Sequence, residues 1–220
     1  MILILILILI SILIIIKIYF INTEYFNNNI IFMNKNDVIN FIIQDKDNYI
    51  KNLTIYDLYA RHVSSHNEYI NLIINNCLEF TDEQKNIIIK YAPNNTSFKI
   101  ALINDIYEEG YPHTREDIIF ISPRIFNSFN NINKTIKHEL VHIDQRYNKR
   151  NYKNYVVSRK RNIEPLIRAN PDLDEYIYKD IHTNKELYYI YSSNKPNGIN
   201  DIIKINNLEE HPFEIEAYSV

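Results

Sequence analysis

The stretch His138-Glu139-Leu140-Val141-His142 decides the fold that this sequence predicts. Residues four apart lie on the same face of an α-helix, so His138 and His142 can direct ring nitrogens at one metal ion while Glu139 lies beside them. Neither Gly nor Pro interrupts residues 132–150, which predicts one continuous helix. Two imidazoles and a carboxylate in this spacing are typical of a zinc site in which the carboxylate acts as general base.

The two imidazoles supply only part of such a site, because a catalytic zinc ion usually takes three protein ligands and one water. In the metzincin extension of this motif, positions 145 and 148 would carry Gly and His. This chain has Gln145 and Asn148, which excludes that arrangement, so the third ligand must come from a distant segment. Asp144 points to another side of the helix, where we expect it to support the site rather than bind the metal.

The best candidate for the third ligand is Glu214, in the segment 209–218. Pro212 suits the first position of a short helix, on which Glu214 and Ala217 share a face. A small side chain one turn from the ligand lets that helix approach the histidine helix closely. The segment resembles the Glu-x-x-Ala ligand helix of gluzincin metallopeptidases, and the resemblance implies that Glu214 binds the zinc.

The resemblance to gluzincins is incomplete just after this pattern. Gluzincins often carry an acidic residue there, whereas this chain has Tyr218. Glu216 lies two residues from Glu214 and is expected to face elsewhere, but it stays open as a ligand. His211 and His182 are further candidates for the third ligand, and a site without a third protein ligand also stays open.

The gluzincin resemblance implies a zincin-like metallopeptidase domain of the α+β class, helix-rich with a small sheet, that binds Zn2+. It also implies hydrolysis of a peptide or protein substrate through a zinc-activated water, with Glu139 as general base. The runs Asp57–Arg61 and Glu108–Arg115 are similar to those of uncharacterised zincin-like proteins of large DNA viruses. Two competing hypotheses are a catalytically inactive zincin-like binding or structural module, and a hydrolase of non-peptide amides or esters.

Composition narrows the classes of function further. The net charge of -3 gives no electrostatic footprint for nucleic acid, so no nucleic-acid partner is expected. The only glycines are Gly110 and Gly198, which cannot build a P-loop or a dinucleotide-binding turn. The only cysteine, Cys77, rules out an intrachain disulfide and a cysteine-based zinc ribbon, and its apolar neighbours predict a buried thiol.

The amino terminus has the composition of a membrane anchor. Residues 2–16 are Ile and Leu with one Ser, and the apolar character continues past Lys17 to position 21. A cleaved signal peptide fits less well, since there is no basic start and no small-x-small cleavage site. The sequence therefore predicts a transmembrane signal-anchor at 1–21, a polar tether at 22–35 and the domain at 36–220, in a single-pass membrane protein whose orientation stays open.

The rest of the chain predicts a mixture of helices and strands. Apolar spacing favours helices at 36–52 and 65–79, and Thr81 with Gln84 resembles a capping box that opens a helix ending before Pro93. Apolar and aromatic runs predict strands at 98–103, 117–122 and 186–192.

The strand at 117–122 is expected to run along the substrate cleft, because its edge could pair with an extended peptide backbone. His113, close to this strand, has two interpretations: a contact to substrate, or a loop imidazole paired with a neighbouring carboxylate. The candidates for an oxyanion donor, with that role left unassigned, are Tyr188, Tyr189, Tyr191 and His211.

Overall fold

The computed structural model describes residues 29–148, 150–162, 164–173, 176–204 and 211–220. In this part of the chain the helices are α1 (Lys35–Gln44), α2 (Ile55–Ala60), α3 (His66–Asn76), α4 (Asp82–Tyr91), α5 (Phe129–Tyr147) and α6 (Pro212–Ala217). The strands are β1 (Asn29–Phe32), β2 (Cys77–Leu78), β3 (Ser97–Ile103), β4 (His113–Arg115), β5 (Ile118–Ile121), β6 (Tyr155–Lys160), β7 (Tyr176–Asp180), β8 (Glu186–Leu187), β9 (Tyr189–Tyr191) and β10 (Ile202–Lys204). The α+β class predicted from the sequence is confirmed.

The main sheet has the strand order β1-β3-β5-β4. β1, β3 and β5 run parallel to one another, β4 is antiparallel to β5, and β2 pairs antiparallel with the end of β3. β4 is therefore the edge strand on the side away from β1. The prediction that the strand at 117–122 offers its edge to a substrate is wrong, because β5 lies between β3 and β4.

Helices cover both faces of this sheet, and alternation along the strands decides which side chain meets which helix. In β3, Ile100 and Leu102 pack in the cluster that includes Ile132 and Ile136 of α5. Ala101 and Ile103 point the other way, into a cluster shared with α1 and α3. Because Ile132 and Ile136 are fully buried against the sheet, the rotation of α5 about its own axis is fixed.

The boundaries of several elements differ from those that the sequence predicts. The helix predicted at 36–52 ends at Gln44, because Asp45 adopts a left-handed conformation (φ 40°) and its carboxylate accepts the backbone N–H groups of the following turn. The strand predicted at 186–192 is divided into β8 and β9, which pair with different neighbours. The capping box of Thr81 and Gln84 is confirmed, with both hydrogen bonds present.

The predicted transmembrane helix at 1–21 lies outside the described residues. Among the residues that are described, no helix has the length and apolar character needed to cross a bilayer. Residues 29–32, inside the range predicted as a polar tether, instead form β1 and pair with β3. The predicted start of the folded domain at Asn36 is therefore corrected to Asn29 at the latest.

The runs Asp57–Arg61 and Glu108–Arg115 meet inside the core. Arg61 pairs with Glu108 through two hydrogen bonds, Nη2 to Oε2 at 2.6 Å and Nε to Oε1 at 2.8 Å, and both side chains are almost fully buried. Burial alone would raise the pKa of Glu108, but the Arg61 guanidinium outweighs it and lowers that pKa to about 2. Asp57, from the first run, accepts the Tyr191 hydroxyl and the backbone N–H of Ala169. These runs therefore support the fold.

Candidate metal centre

Helix α5 brings two imidazoles together. His138 and His142 lie one turn apart, and their Nε2 atoms are 3.0 Å from each other. The His142 side chain is fully buried, whereas that of His138 is 18% exposed. The paired arrangement predicted from the helical spacing is therefore present.

Helix α6 supplies a carboxylate to the same point. Glu214 Oε2 lies 3.4 Å from His138 Nε2 and 3.7 Å from His142 Nε2. Pro212 stands at the start of this helix, and His211 caps it by accepting the Phe213 N–H on Nδ1 at 3.2 Å.

The geometry of these three donors suits a zinc ion. Their ligand atoms all lie within 4.8 Å of one another. Tetrahedral zinc with nitrogen and oxygen ligands at about 2.0–2.1 Å would place neighbouring ligand atoms about 3.3 Å apart, which matches the spacing of 3.0 to 3.7 Å. Two imidazoles and one carboxylate are the protein ligands typical of a catalytic rather than a structural zinc site, in which water takes the fourth position.

The remaining candidates for the third ligand are not part of this group. Glu216 accepts hydrogen bonds from Gln145, Tyr152 and Arg150 on another side of α6, as predicted for a residue two positions from Glu214. His182 is exposed in the turn after β7, where its backbone N–H bonds to Asp180.

Gln145 orients His142 through Nδ1, the ring nitrogen that does not face Glu214. Its Nε2 donates to Glu216 Oε2 at 2.7 Å and to the Phe213 carbonyl at 3.0 Å, so its Oε1 is left to accept the Nδ1–H of His142 at 2.9 Å. In the neutral form of His142, this bond keeps the proton on Nδ1 and leaves the lone pair on Nε2, the atom that faces Glu214. Sequence reasoning used Gln145 only to exclude the metzincin arrangement and missed this role.

The supporting role expected of Asp144 is corrected. Asp144 is exposed and pairs with Arg150 and Asn148 at the end of α5. The supporting carboxylate is Glu216, which acts on His142 through Gln145. Tyr218, at the position where gluzincins often carry an acid, places its ring 4.6 Å from the ring of His138.

Glu139 is enclosed beside the metal ligands. Its side chain is buried, and its Oε2 has no hydrogen-bond partner among the described residues. Burial raises the pKa of Glu139 well above its usual value, and the negative charge of Asp172 raises it further. A buried carboxylate with an unused oxygen is suited to accepting a proton.

The carboxylates around His142 favour positive charge at this point. Burial disfavours the charged form of His142, but Asp172, Glu214 and Glu139 outweigh that effect and raise the pKa of His142 to about 10. Burial would likewise raise the pKa of Glu214, yet hydrogen bonds from His138 and His142 lower it to about 2. Several carboxylates thus surround two imidazoles, an arrangement that a divalent ion would neutralise.

Neither interpretation of His113 is correct. Its ring is buried and stacked on Phe120 at 5.2 Å, and its Nδ1 pairs with the Tyr111 carbonyl at 3.0 Å rather than with a carboxylate. Among the proposed oxyanion donors, Tyr191 is buried with its hydroxyl bonded to Asp57, and His211 caps α6.

No protein-family model, no curated protein and no solved structure matches this chain. The interpretation of the site therefore rests on its own geometry.

Proposed function

We propose that this protein is a zinc-dependent metallopeptidase of gluzincin type, anchored to a membrane by its N-terminal segment. The observation that carries the proposal is the convergence of His138, His142 and Glu214, from two helices distant in sequence, at tetrahedral spacing. A buried carboxylate, Glu139, is adjacent in the chain. Chance contacts between polar side chains rarely combine a metal donor set with an enclosed base.

Each residue has a distinct role in the proposed reaction. His138 and His142 would hold the ion through Nε2, and Glu214 through its carboxylate. Bound zinc supplies a Lewis acid for the scissile carbonyl and a water that ionises near neutral pH. Glu139 would take the proton of that water and pass it to the leaving amine, so peptide hydrolysis is the reaction that this arrangement serves best.

A zinc-binding module without turnover is the second candidate. It is favoured by one observation, that the backbone of edge strand β4 is already hydrogen-bonded within the chain at Thr114. An extended peptide would have to compete for this strand.

The decisive experiment compares the protein with its Glu139→Gln variant. We expect about one zinc ion per chain in both, and hydrolysis of a peptide library by the unaltered protein that falls at least about 100-fold in Glu139→Gln. Zinc content is measured by atomic emission, and hydrolysis by mass spectrometry of the products.

The matched control is Glu83→Gln, which removes an exposed carboxylate from the first turn of α4 and should leave both readouts unchanged. Absence of zinc after metal supplementation would contradict the proposal. A zinc-loaded protein that cleaves no peptide would favour the module without turnover.

A further inference from the structure

The edge of the main sheet that faces α5 is a three-residue strand, β4. In an antiparallel pair, alternate residues direct their N–H and C=O groups away from the neighbouring strand. In β4 the residue whose backbone groups point away from β5 is Thr114. Its N–H donates to Asp172, which lies outside the sheet. Pro112, two residues earlier, has no N–H to offer.

The outward groups of β4 are already used within the chain. Asp172 Oδ1 accepts both the backbone N–H and the hydroxyl of Thr114, each at 2.7 Å. The Arg146 guanidinium donates to the Thr114 carbonyl at 3.3 Å and to the Glu116 carbonyl at 2.8 Å. Arg146 also donates to the Pro171 carbonyl at 3.1 Å, which holds the segment that carries Asp172 against α5.

This segment lies next to the candidate metal centre. Arg146 follows His142 by one helical turn on α5. Asp172 and Gln145 line the same cavity, and Gln145 is hydrogen-bonded to the ring of His142. Asp172 therefore takes a place that a substrate backbone on β4 would need.

We propose that Asp172 is a specificity-determining residue, which closes the edge of β4 and restricts the site to peptides too short to pair with that strand. The proposal rests on the proposed peptidase function. Long extended peptides owe much of their affinity to main-chain hydrogen bonds with an edge strand. Here those bonds can form only after the hydrogen bond from the Thr114 N–H to Asp172 has broken. A short peptide that binds at the metal ligands and Glu139 does not need them.

The test uses two substitutions that both remove the charge of Asp172 and differ in whether residue 172 can still accept a hydrogen bond. Asp172→Ala removes the acceptor for Thr114, while Asp172→Asn removes the charge and keeps an Oδ1 that can accept. Both are made in the full chain that carries Glu139→Gln, so that peptides bind without being cleaved. The probes are fluorescein-labelled randomised tripeptide and octapeptide pools, and their dissociation constants are measured by anisotropy with and without zinc.

We expect Asp172→Ala to bind the octapeptide pool at least 10-fold more tightly, with the tripeptide pool changed by less than 3-fold. Asp172→Asn should show neither change, since its edge stays closed. Equal gains in both variants would assign the effect to charge, and no gain in Asp172→Ala would show that the edge is not what limits binding. Either result overturns the proposal.

Hydrogen exchange at the Thr114 amide gives a readout that does not depend on zinc or turnover. The amide should be protected in the unaltered protein and in Asp172→Asn, exchange freely in Asp172→Ala, and become protected again when the octapeptide pool is added. If Asp172→Ala does not fold, Arg146→Gln takes its place. It removes the guanidinium that donates to the Thr114 and Pro171 carbonyls, and it should likewise tighten binding of the octapeptide pool. A chain that neither binds zinc nor cleaves peptides would refute the proposed function while leaving these length and exchange measurements interpretable.

Discussion

Gln145 is the residue through which the two halves of the metal centre hold each other in place. It lies on α5 with His142, and its amide bonds to Phe213 and Glu216 of α6. A ring held at Nδ1 loses little orientational freedom when Nε2 binds a metal. Gln145 should therefore contribute to the affinity for the proposed metal ion without touching it.

We predict that Gln145→Ala weakens zinc binding about 10- to 100-fold, because His142 loses the acceptor that fixes its tautomer. The measurement is the zinc dissociation constant by competition with a chromophoric chelator. Gln84→Ala, which removes the capping side chain of α4, is the matched control and should leave that constant unchanged. Equal zinc affinity in Gln145→Ala and the unaltered protein would show that the ring is held by other contacts.

At this scale, the sequence predicts what helical spacing dictates. His138, Glu139 and His142 follow from one turn of helix, and Glu214 from a local pattern around Pro212. The roles of Gln145 and Asp172 could not be predicted, because both depend on which distant segments pack against α5. Nothing in the residues next to them in sequence specifies those partners.

Helix α6 is the element on which the third ligand depends. It is short, and its Ala217 is 1% exposed against its surroundings while Ile215, on the other face, is 41% exposed. A helix of this length has little stability of its own, so packing must hold it. The prediction that a small residue allows close approach of α6 to the histidine helix agrees with this burial.

We predict that Ala217→Leu destabilises the domain by about 1–3 kcal/mol and weakens zinc binding, because the larger side chain pushes α6 and Glu214 away from the histidines. Urea unfolding without zinc and chelator competition measure the two effects separately. Ile215→Leu, at the exposed position of the same helix, should change the free energy of unfolding by less than about 0.5 kcal/mol. A fully tolerated Ala217→Leu would mean that α6 does not pack as closely as its burial indicates.

The elements themselves were predicted with uneven success, for physical reasons. The strongly apolar strands β3 and β5 and the long helix α5 carry clear periodic signals, and each is found near its predicted range. The helix predicted at 36–52 continues a helical pattern past Asp45, where a left-handed turn ends it. That turn is stabilised by Arg115, which bonds to Asp45 and Asp47 from far along the chain.

For the whole molecule, the buried pair of Arg61 and Glu108 links the helical front of the chain to the segment before β4. Tyr49 and Tyr69 also donate their hydroxyls to Glu108. A buried carboxylate held by one guanidinium and two hydroxyls stays ionised far into the acid range. The stability of the domain should therefore depend on pH through this group.

We predict that the free energy of unfolding falls as the pH is lowered from about 4.5 towards 2. The pKa of Glu108 is lowered from 4.5 to about 2 by folding, so its contribution is fully present above pH 4.5 and is lost as the pH falls through that window. The loss from this group is on the order of 3 kcal/mol over the whole window, of which about 2 kcal/mol falls between pH 6 and pH 3. Urea unfolding at pH 6 and pH 3, with a chelator in all samples, measures it.

The Glu108→Gln variant separates this group from the other acids. It should be less stable at pH 6 by about 3–5 kcal/mol, because buried Arg61 loses the nearer of its two carboxylate partners and keeps only Asp57 at 4.0 Å, and it should lose less stability on acidification. Glu83→Gln should follow the unaltered protein at both pH values. An unchanged acid dependence in Glu108→Gln would assign the effect to other carboxylates.

Strand β1 also limits how far the proposed peptidase can work from a membrane. It begins at Asn29 and is already paired with β3, so only residues 22–28 separate the sheet from the proposed anchor. Seven residues span at most about 25 Å when fully extended. Three strand spacings across the sheet, about 14 Å in all, then lead to β4 beside the metal centre. The proposed anchor would therefore keep β4 within about 40 Å of the bilayer surface, close enough for the proposed peptidase to reach substrates in or on the membrane.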